Sequence, residues 1–368
     1  MKIVVFGLSI TSSWGNGHAT LWRGLIEALY KKGCTVTFFE RDVPYYAETR
    51  DIHEIDYGKL VLYSDWSDIY PTALREVREA DAVISTSFCS DALRARELAA
   101  GAAAINVFYD LDTPVTLAAV RAGQDVFYIG HDGLQSFDLV LSFTGGAAGE
   151  CLKSELRARC VVPLYGHVDP GCHRRVGLRD CYACDLSYLG TYSSDRQRAL
   201  EDLLIGPALR SDRQKFVMGG AQYPADFPWL PNLFFVRHLP PDEHSAFYSS
   251  SRLTLNVTRS AMARMGWCPS GRLFEASACG TPIISDAWDG IDDFYEPGRE
   301  IIVAKSSDDV LDALQMSDRE LLMIGDAALE RTLSQHTSDR RAEEFLIALS
   351  GVTNRTGSMA AEVQRCGA

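Results

Sequence analysis

The chain has 368 residues, of which 46% are hydrophobic and 23% charged, with a net charge of −13. This length suits two domains of similar size. The negative charge argues against a general nucleic-acid binder or an anchor for anionic membranes, since both need a basic field, but it leaves room for local basic pockets. No apolar run approaches the ~20 residues of a membrane span, and the opening MKIVVFGLSI lacks the apolar length of a signal peptide, so a cytoplasmic protein without a membrane span is expected.

Apolar runs alternate with helical patterns through the first half of the chain. A helical pattern runs from Thr20 to Lys32, and buried strands are predicted at 2–9, 35–41, 81–88, 103–110 and 137–144. Continuous apolar strands separated by helices indicate parallel strands covered on both faces. The fold class is therefore α/β, and residues 1–165 are predicted to form a doubly wound, Rossmann-like domain.

The alternation stops over 163–185, a linker rich in Gly, Pro, Cys, His and Arg, and then restarts. Further strands are predicted at 185–191, 215–221, 233–239, 252–258, 281–288 and 300–305. They predict a second Rossmann-like domain over 166–337, which would face the first across a cleft. A helix over 338–350 is expected to pack back on the first domain, and the small, polar residues 351–368 are expected to be loose.

The ten cysteines have scattered spacings, which are typical of free thiols in a cytosolic protein. Cys181 and Cys184 have the spacing of half a zinc site, and Cys172 with His173 lies nearby in GCHRRVGLRDCYACD. A connecting segment that happens to contain cysteines explains the same residues, because no second pair follows. No metal site is predicted, and the role of these cysteines stays open.

The stretch CPSGRLFEASACGTPIISD predicts a loop, a short helix, a glycine stop and a buried strand. A helix N-terminus attracts anions, so Ser270, Gly271 and Arg272 suit a diphosphate. Glu275, one turn into the helix, suits the hydroxyls of a ribose. Ser270 is equally explained as an N-cap, and Arg272 with Glu275 as a pair on the helix surface.

Four more residues are assigned to this donor-binding edge because each follows a predicted strand of the second domain. Parallel strands present their carboxyl ends at one edge, where ligands bind. An arginine is suited to a diphosphate because its planar fork donates two parallel hydrogen bonds. The four residues are Arg196, His238, Asn256 and Arg259.

The loop SITSSWGNGHAT leads from the first strand into a helix. His18 is a candidate catalytic base for an acceptor hydroxyl, or a donor to phosphate, and Gly17 is placed on the acceptor side. A histidine exposed to water at a helix start is the structural alternative. GNGHAT nearly matches the G-x-G-x-x-G fingerprint and Glu40 ends the next strand, which leaves an NAD-dependent enzyme as a further alternative, although the glycines lie far from the strand.

FYDLDTPVT places Asp110 and Asp112 at the carboxyl end of a strand. Asp112 is a candidate catalytic base, and Asp110 is placed on the acceptor side. An N-cap ahead of the proline-started helix explains Asp112 equally well.

GRLFEASACGTPIISD resembles the donor-binding segment of the GT-B glycosyltransferases, in the form found in CgeB-like proteins. SRLTLNVTR, DLSYLGTYSSDRQRALE and the N-terminal SSWGNGHATLWRGLIEAL resemble that group too, so the resemblance covers about residues 1–345. It implies a GT-B fold and a nucleotide-sugar donor bound mainly by the second domain, with Glu275 on the ribose and the three arginines named above at the diphosphate. Related enzymes have a second glutamate eight positions before the one that matches Glu275. Trp267 stands there in this chain, so a sugar-facing carboxylate is not carried over.

The expected function is glycosyl transfer, of hexosyltransferase type, from a UDP- or TDP-linked donor to a hydroxyl-type acceptor. No cofactor or metal is expected, because arginines and a helix N-terminus can stabilise the departing diphosphate. No nucleic-acid or membrane partner is expected, while the acceptor and the oligomeric state stay open. A sugar-nucleotide epimerase or phosphorylase is the alternative, as is a non-catalytic nucleotide-sugar-binding partner protein, which Trp267 keeps open.

Overall fold

A computed structural model describes the backbone of residues 1–366 and the side chains of residues 1–352. The chain forms two compact units. The first comprises Met1–Ser12, His18–Tyr165 and the chain from Asp339, and the second comprises Ser13–Gly17 and Gly166–Ser338. Within the described part of the chain, no helix is both long and apolar enough to cross a membrane.

The first domain is built on a parallel sheet of seven strands in the order β3-β2-β1-β4-β5-β6-β7. The strands are β1 (Lys2–Gly7), β2 (Thr35–Arg41), β3 (Lys59–Tyr63), β4 (Ala82–Thr86), β5 (Ile105–Asp110), β6 (Leu139–Ser142) and β7 (Val161–Pro163). The helices between them are α1 (Gly17–Lys31), α2 (Pro44–Ala47), α3 (Trp66–Arg78), α4 (Ala92–Ala100), α5 (Thr113–Arg121) and α6 (Ala148–Leu156).

The strands of this domain that the sequence predicted are those whose side chains are mostly buried. β1, β4 and β6 are apolar on both faces because helices cover the sheet on both sides, which confirms the parallel α/β fold class. The sequence missed β3 and β7, which are the two edge strands. Their side chains are mostly half-buried or exposed, so neither has the continuous apolar run that marks an interior strand.

The second domain is built on a parallel sheet of six strands in the order β10-β9-β8-β11-β12-β13. The strands are β8 (Cys184–Leu189), β9 (Phe216–Gly220), β10 (Leu233–Arg237), β11 (Ser251–Asn256), β12 (Ile283–Asp286) and β13 (Ile302–Ala304). The helices are α7 (Gln197–Leu200), α8 (Gly206–Arg210), α9 (Pro241–Ser249), α10 (Ser260–Met265), α11 (Gly271–Ala278), α12 (Ser307–Gln315) and α13 (Asp318–Gln335).

The last helix, α14 (Ser338–Cys366), completes the core of the first domain. Four of its side chains are buried in the same apolar cluster as residues of β1 and α1: Ala342, Phe345, Leu349 and Val352. The sequence predicted a helix that ends at 350 and a loose tail over 351–368. Val352 is buried and the helix continues past it, whereas the side chains of 353–368 lie outside the described residues.

Candidate functional site

Backbone glycines line the carboxyl ends of β8 and β9 in the second domain. The Gly190 N–H donates to the Gly219 carbonyl at 2.9 Å. Gly220 has a φ of +150°, and a Cβ there would lie 2.0 Å from the Gly190 oxygen. Gly220 has no room for a side chain here because the ends of β8 and β9 pack closely against each other.

Arg272 lies across this edge at the start of α11. The helix begins after Ser270, whose hydroxyl accepts from the Arg272 N–H at 3.3 Å, so Ser270 is the N-cap. The guanidinium donates from Nη1 to Asn256 Oδ1 at 2.9 Å and from Nε to the Leu189 carbonyl. It also lies 5.0 Å from the centre of the Tyr188 ring. These contacts hold the guanidinium fixed between the ends of β8 and β11, beside Gly271.

Two further predicted arginines follow β8 and β11. Arg196 donates from Nη1 to the Thr191 carbonyl at 3.0 Å, while its buried Nε finds no hydrogen-bond partner among the described residues. Arg259 donates from Nε to Asp195 at 3.2 Å. Burial raises the pKa of Tyr223, and both Arg272 and Arg196 lower it, so these two guanidinium groups share one neighbourhood.

Asn256 and His238 occupy strand ends at the same edge. Asn256 is fully buried, and its amide donates to Ser285 Oγ at 2.9 Å while accepting from Arg272, so it positions the arginine. The His238 N–H donates to the Gly220 carbonyl at 2.7 Å, and its backbone has a φ of +50°. Its ring lies 4.1 Å from the ring of Trp14.

Glu275 lies one turn further along α11, beside His244. Its Oε2 lies 4.0 Å from Nδ1 of His244 on α9, and its side chain is 16% exposed. The predicted surface pair of Arg272 and Glu275 is therefore replaced by two separate sets of contacts. Sequence reasoning missed His244; burial lowers its pKa to about 4, although the Glu275 carboxylate acts in the opposite direction.

In the first domain, the two predicted catalytic residues meet. His18 Nε2 lies 3.5 Å from Asp112 Oδ2, and each side chain is 18% exposed. Asp112 precedes α5, and its carbonyl accepts from the Val115 N–H at 2.8 Å, whereas its carboxylate turns toward His18. Gly17 begins α1, and a Cβ at that position would meet no described atom within 4 Å. The pair is partly open to solvent and has the composition of a histidine base with an orienting carboxylate.

Asp110 lies beneath this pair and is fully buried. Its Oδ1 accepts from the Asp112 N–H at 3.2 Å and from Thr116 Oγ1 at 3.0 Å. Its Oδ2 has no partner among the residues described. Burial raises the pKa of Asp110 to about 7. In this position the carboxyl group supports the turn that carries Asp112, instead of facing an acceptor.

The burial of Asp110 predicts a pH dependence of stability. Its pKa is about 7 in the folded chain and about 3.9 when unfolded, so the unfolded state releases the proton first as pH rises. The stabilisation of the folded state that comes from protonated Asp110 is complete below about pH 4. The free energy of unfolding falls by about 4 kcal/mol as the pH rises through 7. We expect Asp110→Asn to flatten the pH dependence of the urea-unfolding midpoint between pH 4 and 8. The exposed Asp125→Asn is the control; parallel curves for Asp110→Asn and the wild type would contradict the prediction.

Glu40, the candidate dinucleotide acid, has a structural role. It is wholly buried at the end of β2 and accepts hydrogen bonds from the loop after β1. The donors are the Ser9 hydroxyl at 2.8 Å, the Ile10 N–H at 2.7 Å, and the N–H and hydroxyl of Thr11 at 3.0 and 2.6 Å. Because all these bonds hold the loop, the interpretation of Glu40 as a ribose-binding acid is wrong.

The cysteines of the linker have separate surroundings. Cys172 Sγ lies 3.3 Å from Asp169, and Cys184 Sγ lies 3.7 Å from Ser251 Oγ. Cys172 and Cys181 are exposed, whereas His173 between them in the chain is buried. The spacing of Cys172, Cys181 and Cys184 in the sequence therefore does not indicate which side chains lie together in the fold.

Solved structures resemble the chain over nearly its whole length. An alpha-glucosyltransferase in complex with UDP is 15% identical, with a TM-score of 0.71 over 95% of this chain and 99% of that one. Sucrose-phosphate synthase from Thermosynechococcus elongatus is 14% identical, with a TM-score of 0.70 over 98% of this chain and 100% of that one. Anabaena HepE in complex with UDP-glucose is 13% identical, with a TM-score of 0.66 over 95% and 100%. The chain has the GT-B fold.

Part of this GT-B chain also matches a protein family. Residues 196–347 match the family described as glycosyl transferase-like, which is less than half of the chain. The match begins at Arg196 and includes Arg272 and Glu275. No curated protein matches the sequence significantly.

Proposed function

We propose that the protein is a cytoplasmic glycosyltransferase of hexosyltransferase type, CgeB-like, that moves a sugar from a UDP- or TDP-linked donor to a hydroxyl-type acceptor. The observation that carries the proposal is the guanidinium of Arg272, fixed by Asn256 and Leu189 above a glycine-lined strand edge. A preorganised positive charge at the start of a helix suits a diphosphate. The family match, which includes Asn256 and Arg272, supports this assignment.

The donor diphosphate would lie at the N-terminus of α11, where Arg272 and the main-chain N–H groups neutralise it. Arg196 is the second candidate contact, because its buried Nε has no partner within the described chain. Glu275 would accept hydrogen bonds from the ribose hydroxyls. UDP is favoured as the nucleotide, because the alpha-glucosyltransferase and HepE structures contain UDP or UDP-glucose.

In the reaction, the acceptor oxygen forms a bond to the anomeric carbon while the bond from that carbon to the diphosphate oxygen breaks. The leaving electron pair stays on the diphosphate, where Arg272 stabilises the charge. The imidazole of His18 would take the acceptor proton, and Asp112, whose Oδ2 lies 3.5 Å from His18 Nε2, would stabilise the imidazolium that forms. The arginine and the helix N-terminus supply positive charge, so the proposed transfer needs no metal.

Calorimetric titration of UDP, GDP, TDP, ADP and NAD in the presence of EDTA tests the donor site. We expect one nucleoside diphosphate to bind, and Glu275→Ala to weaken it at least tenfold, which is about 1.4 kcal/mol. Glu330→Ala, an exposed glutamate on α13, is the matched control and should bind as the wild type does. Binding of NAD alone, or diphosphate binding indifferent to Glu275, would overturn the proposal.

A further inference from the structure

Three potential metal ligands from separate segments of the second domain face one another. His173 lies in the segment between β7 and β8, His244 on α9 and Glu275 on α11. His173 Nε2 lies 3.5 Å from His244 Nδ1, which lies 4.0 Å from Glu275 Oε2, and the three ligand atoms are all within 4.8 Å of one another.

These separations are close to those of a zinc site. Two atoms bound to Zn²⁺ at about 2.0–2.1 Å in tetrahedral geometry lie roughly 3.3 Å apart. The two histidine nitrogens are already near that distance. The carboxylate of Glu275 lies 4.0 Å from His244 Nδ1, and the ligand atoms of the cluster lie within 4.8 Å of one another. It must therefore approach by roughly 1–1.5 Å, and its side chain has rotatable bonds that permit this.

The hydrogen bonding of His244 orients it as a ligand. Its Nε2 lies 3.2 Å from the Leu239 carbonyl, which can only accept, so Nε2 carries the proton. The lone pair of the neutral ring is then on Nδ1, which faces His173 and Glu275. A backbone carbonyl that fixes the distal N–H in this way is the usual second contact of a metal-bound histidine.

The chain on both sides of His173 is attached to α9. Ser245, the residue after His244, donates from its hydroxyl to the Cys172 carbonyl at 2.9 Å and accepts from the Arg174 N–H at 3.3 Å. His173 is therefore held opposite His244, with only 4% of the residue exposed.

The cluster has more lone pairs than protons. His173 Nε2 can donate at most one hydrogen bond, whereas His244 Nδ1 and the Glu275 carboxylate both face it as possible acceptors. His173 Nδ1 is buried and has no hydrogen-bond partner in the described chain. A cation shared by the three ligands satisfies the excess of acceptors, whereas a hydrogen-bonded histidine pair leaves the carboxylate without one.

We propose that His173, His244 and Glu275 bind a divalent transition metal, with Zn²⁺ the best fit to two imidazole nitrogens and one carboxylate oxygen. Glu275 is also the ribose ligand of the proposed function. On that basis, metal binding withdraws Glu275 from the donor site and weakens nucleotide binding. The metal here is an inhibitor and not a participant in the transfer.

Zinc titration of the whole protein against a chromophoric chelator tests the site without any nucleotide. We expect one equivalent to bind in the wild type, at least about tenfold more weakly in His173→Gln and His244→Gln. The double variant Cys172→Ser/Cys181→Ser should bind zinc as the wild type does, and thermal melts in EDTA should show that all variants fold. Absence of wild-type binding, or equal binding by the folded histidine variants, would overturn the site.

Titration of the nucleoside diphosphate with and without one equivalent of Zn²⁺ tests the competition. In the wild type we expect the nucleoside diphosphate to bind at least about tenfold more weakly with zinc than without it. In His173→Gln we expect zinc to have no effect on the affinity. The same titration of this variant also measures any loss that is due to chelation of zinc by the nucleotide. Unchanged affinity in zinc-loaded wild type would overturn the competition. Zinc binding without any nucleotide binding in EDTA would refute the proposed function and leave the metal site in place.

Discussion

Replacing Arg272 by methionine is expected to weaken binding of the nucleoside diphosphate by about 10- to 150-fold, while the affinity for the nucleoside alone changes little. The expected loss corresponds to about 1.5–3 kcal/mol, the usual contribution of a hydrogen bond to a charged group. The guanidinium is already fixed by Asn256, Leu189 and the Tyr188 ring, so little ordering entropy is lost on binding. Methionine retains an unbranched side chain without the charge. Calorimetry with both ligands measures the difference.

Two variants make this result specific. Arg272→Lys keeps the charge but loses the planar fork, so its affinity should lie between those of the wild type and the methionine variant. Arg252→Met removes an arginine that donates to Asp318 and Leu314 instead, and it should bind both ligands normally. An equal loss of nucleoside and diphosphate affinity in Arg272→Met would show damage to the whole site and contradict the assignment to the diphosphate.

Replacing Gly220 by alanine is expected to cost about 4 kcal/mol or more of unfolding free energy, at the upper end for single substitutions. A Cβ at Gly220 would lie 2.0 Å from the Gly190 oxygen and 2.8 Å from its carbonyl carbon. The neighbouring main chain cannot move away easily, because the Gly220 carbonyl accepts from the His238 N–H and Gly190 donates to Gly219. Urea unfolding followed by far-UV circular dichroism measures the loss.

Gly298→Ala separates the steric clash from backbone preference. Gly298 also has a positive φ, +82°, but a Cβ there would meet no atom of the described chain within 4 Å. Its substitution should cost only about 1–2 kcal/mol, the penalty for a left-handed residue with a side chain. Equal losses for the two alanine variants would show that the close approach of Gly190 contributes nothing.

The fold could be predicted because interior parallel strands are apolar on both faces. β1, β4 and β6 contain short apolar runs that a helix or surface strand does not show. The edge strands β3 and β7 could not be found in this way, because half of their environment is solvent. The helix end at 350 was set too early, because a polar composition hid the buried position of Val352.

The candidate site was predictable where a local pattern carries the chemistry. Ser270 and Arg272 lie at the start of one helix, α11. His18 and Asp112 each lie between a predicted strand and the helix that follows it. The pairing of His173 with His244 was out of reach, since the two residues are 71 positions apart and meet only through tertiary packing. Glu40 misled for a related reason: a carboxylate at a strand end accepts equally well from a ribose or from its own loop.

The return of α14 to the first domain has a consequence for biosynthesis. Phe345 and Leu349 belong to the same apolar cluster as Ile3 and Val5, so β1 is synthesised long before the helix that completes its core. The second domain ends at Ser338, so all its strands are synthesised before the α14 residues that complete the core of the first domain. During synthesis the first domain is therefore expected to fold after the second, with part of its apolar core uncovered until α14 has left the ribosome.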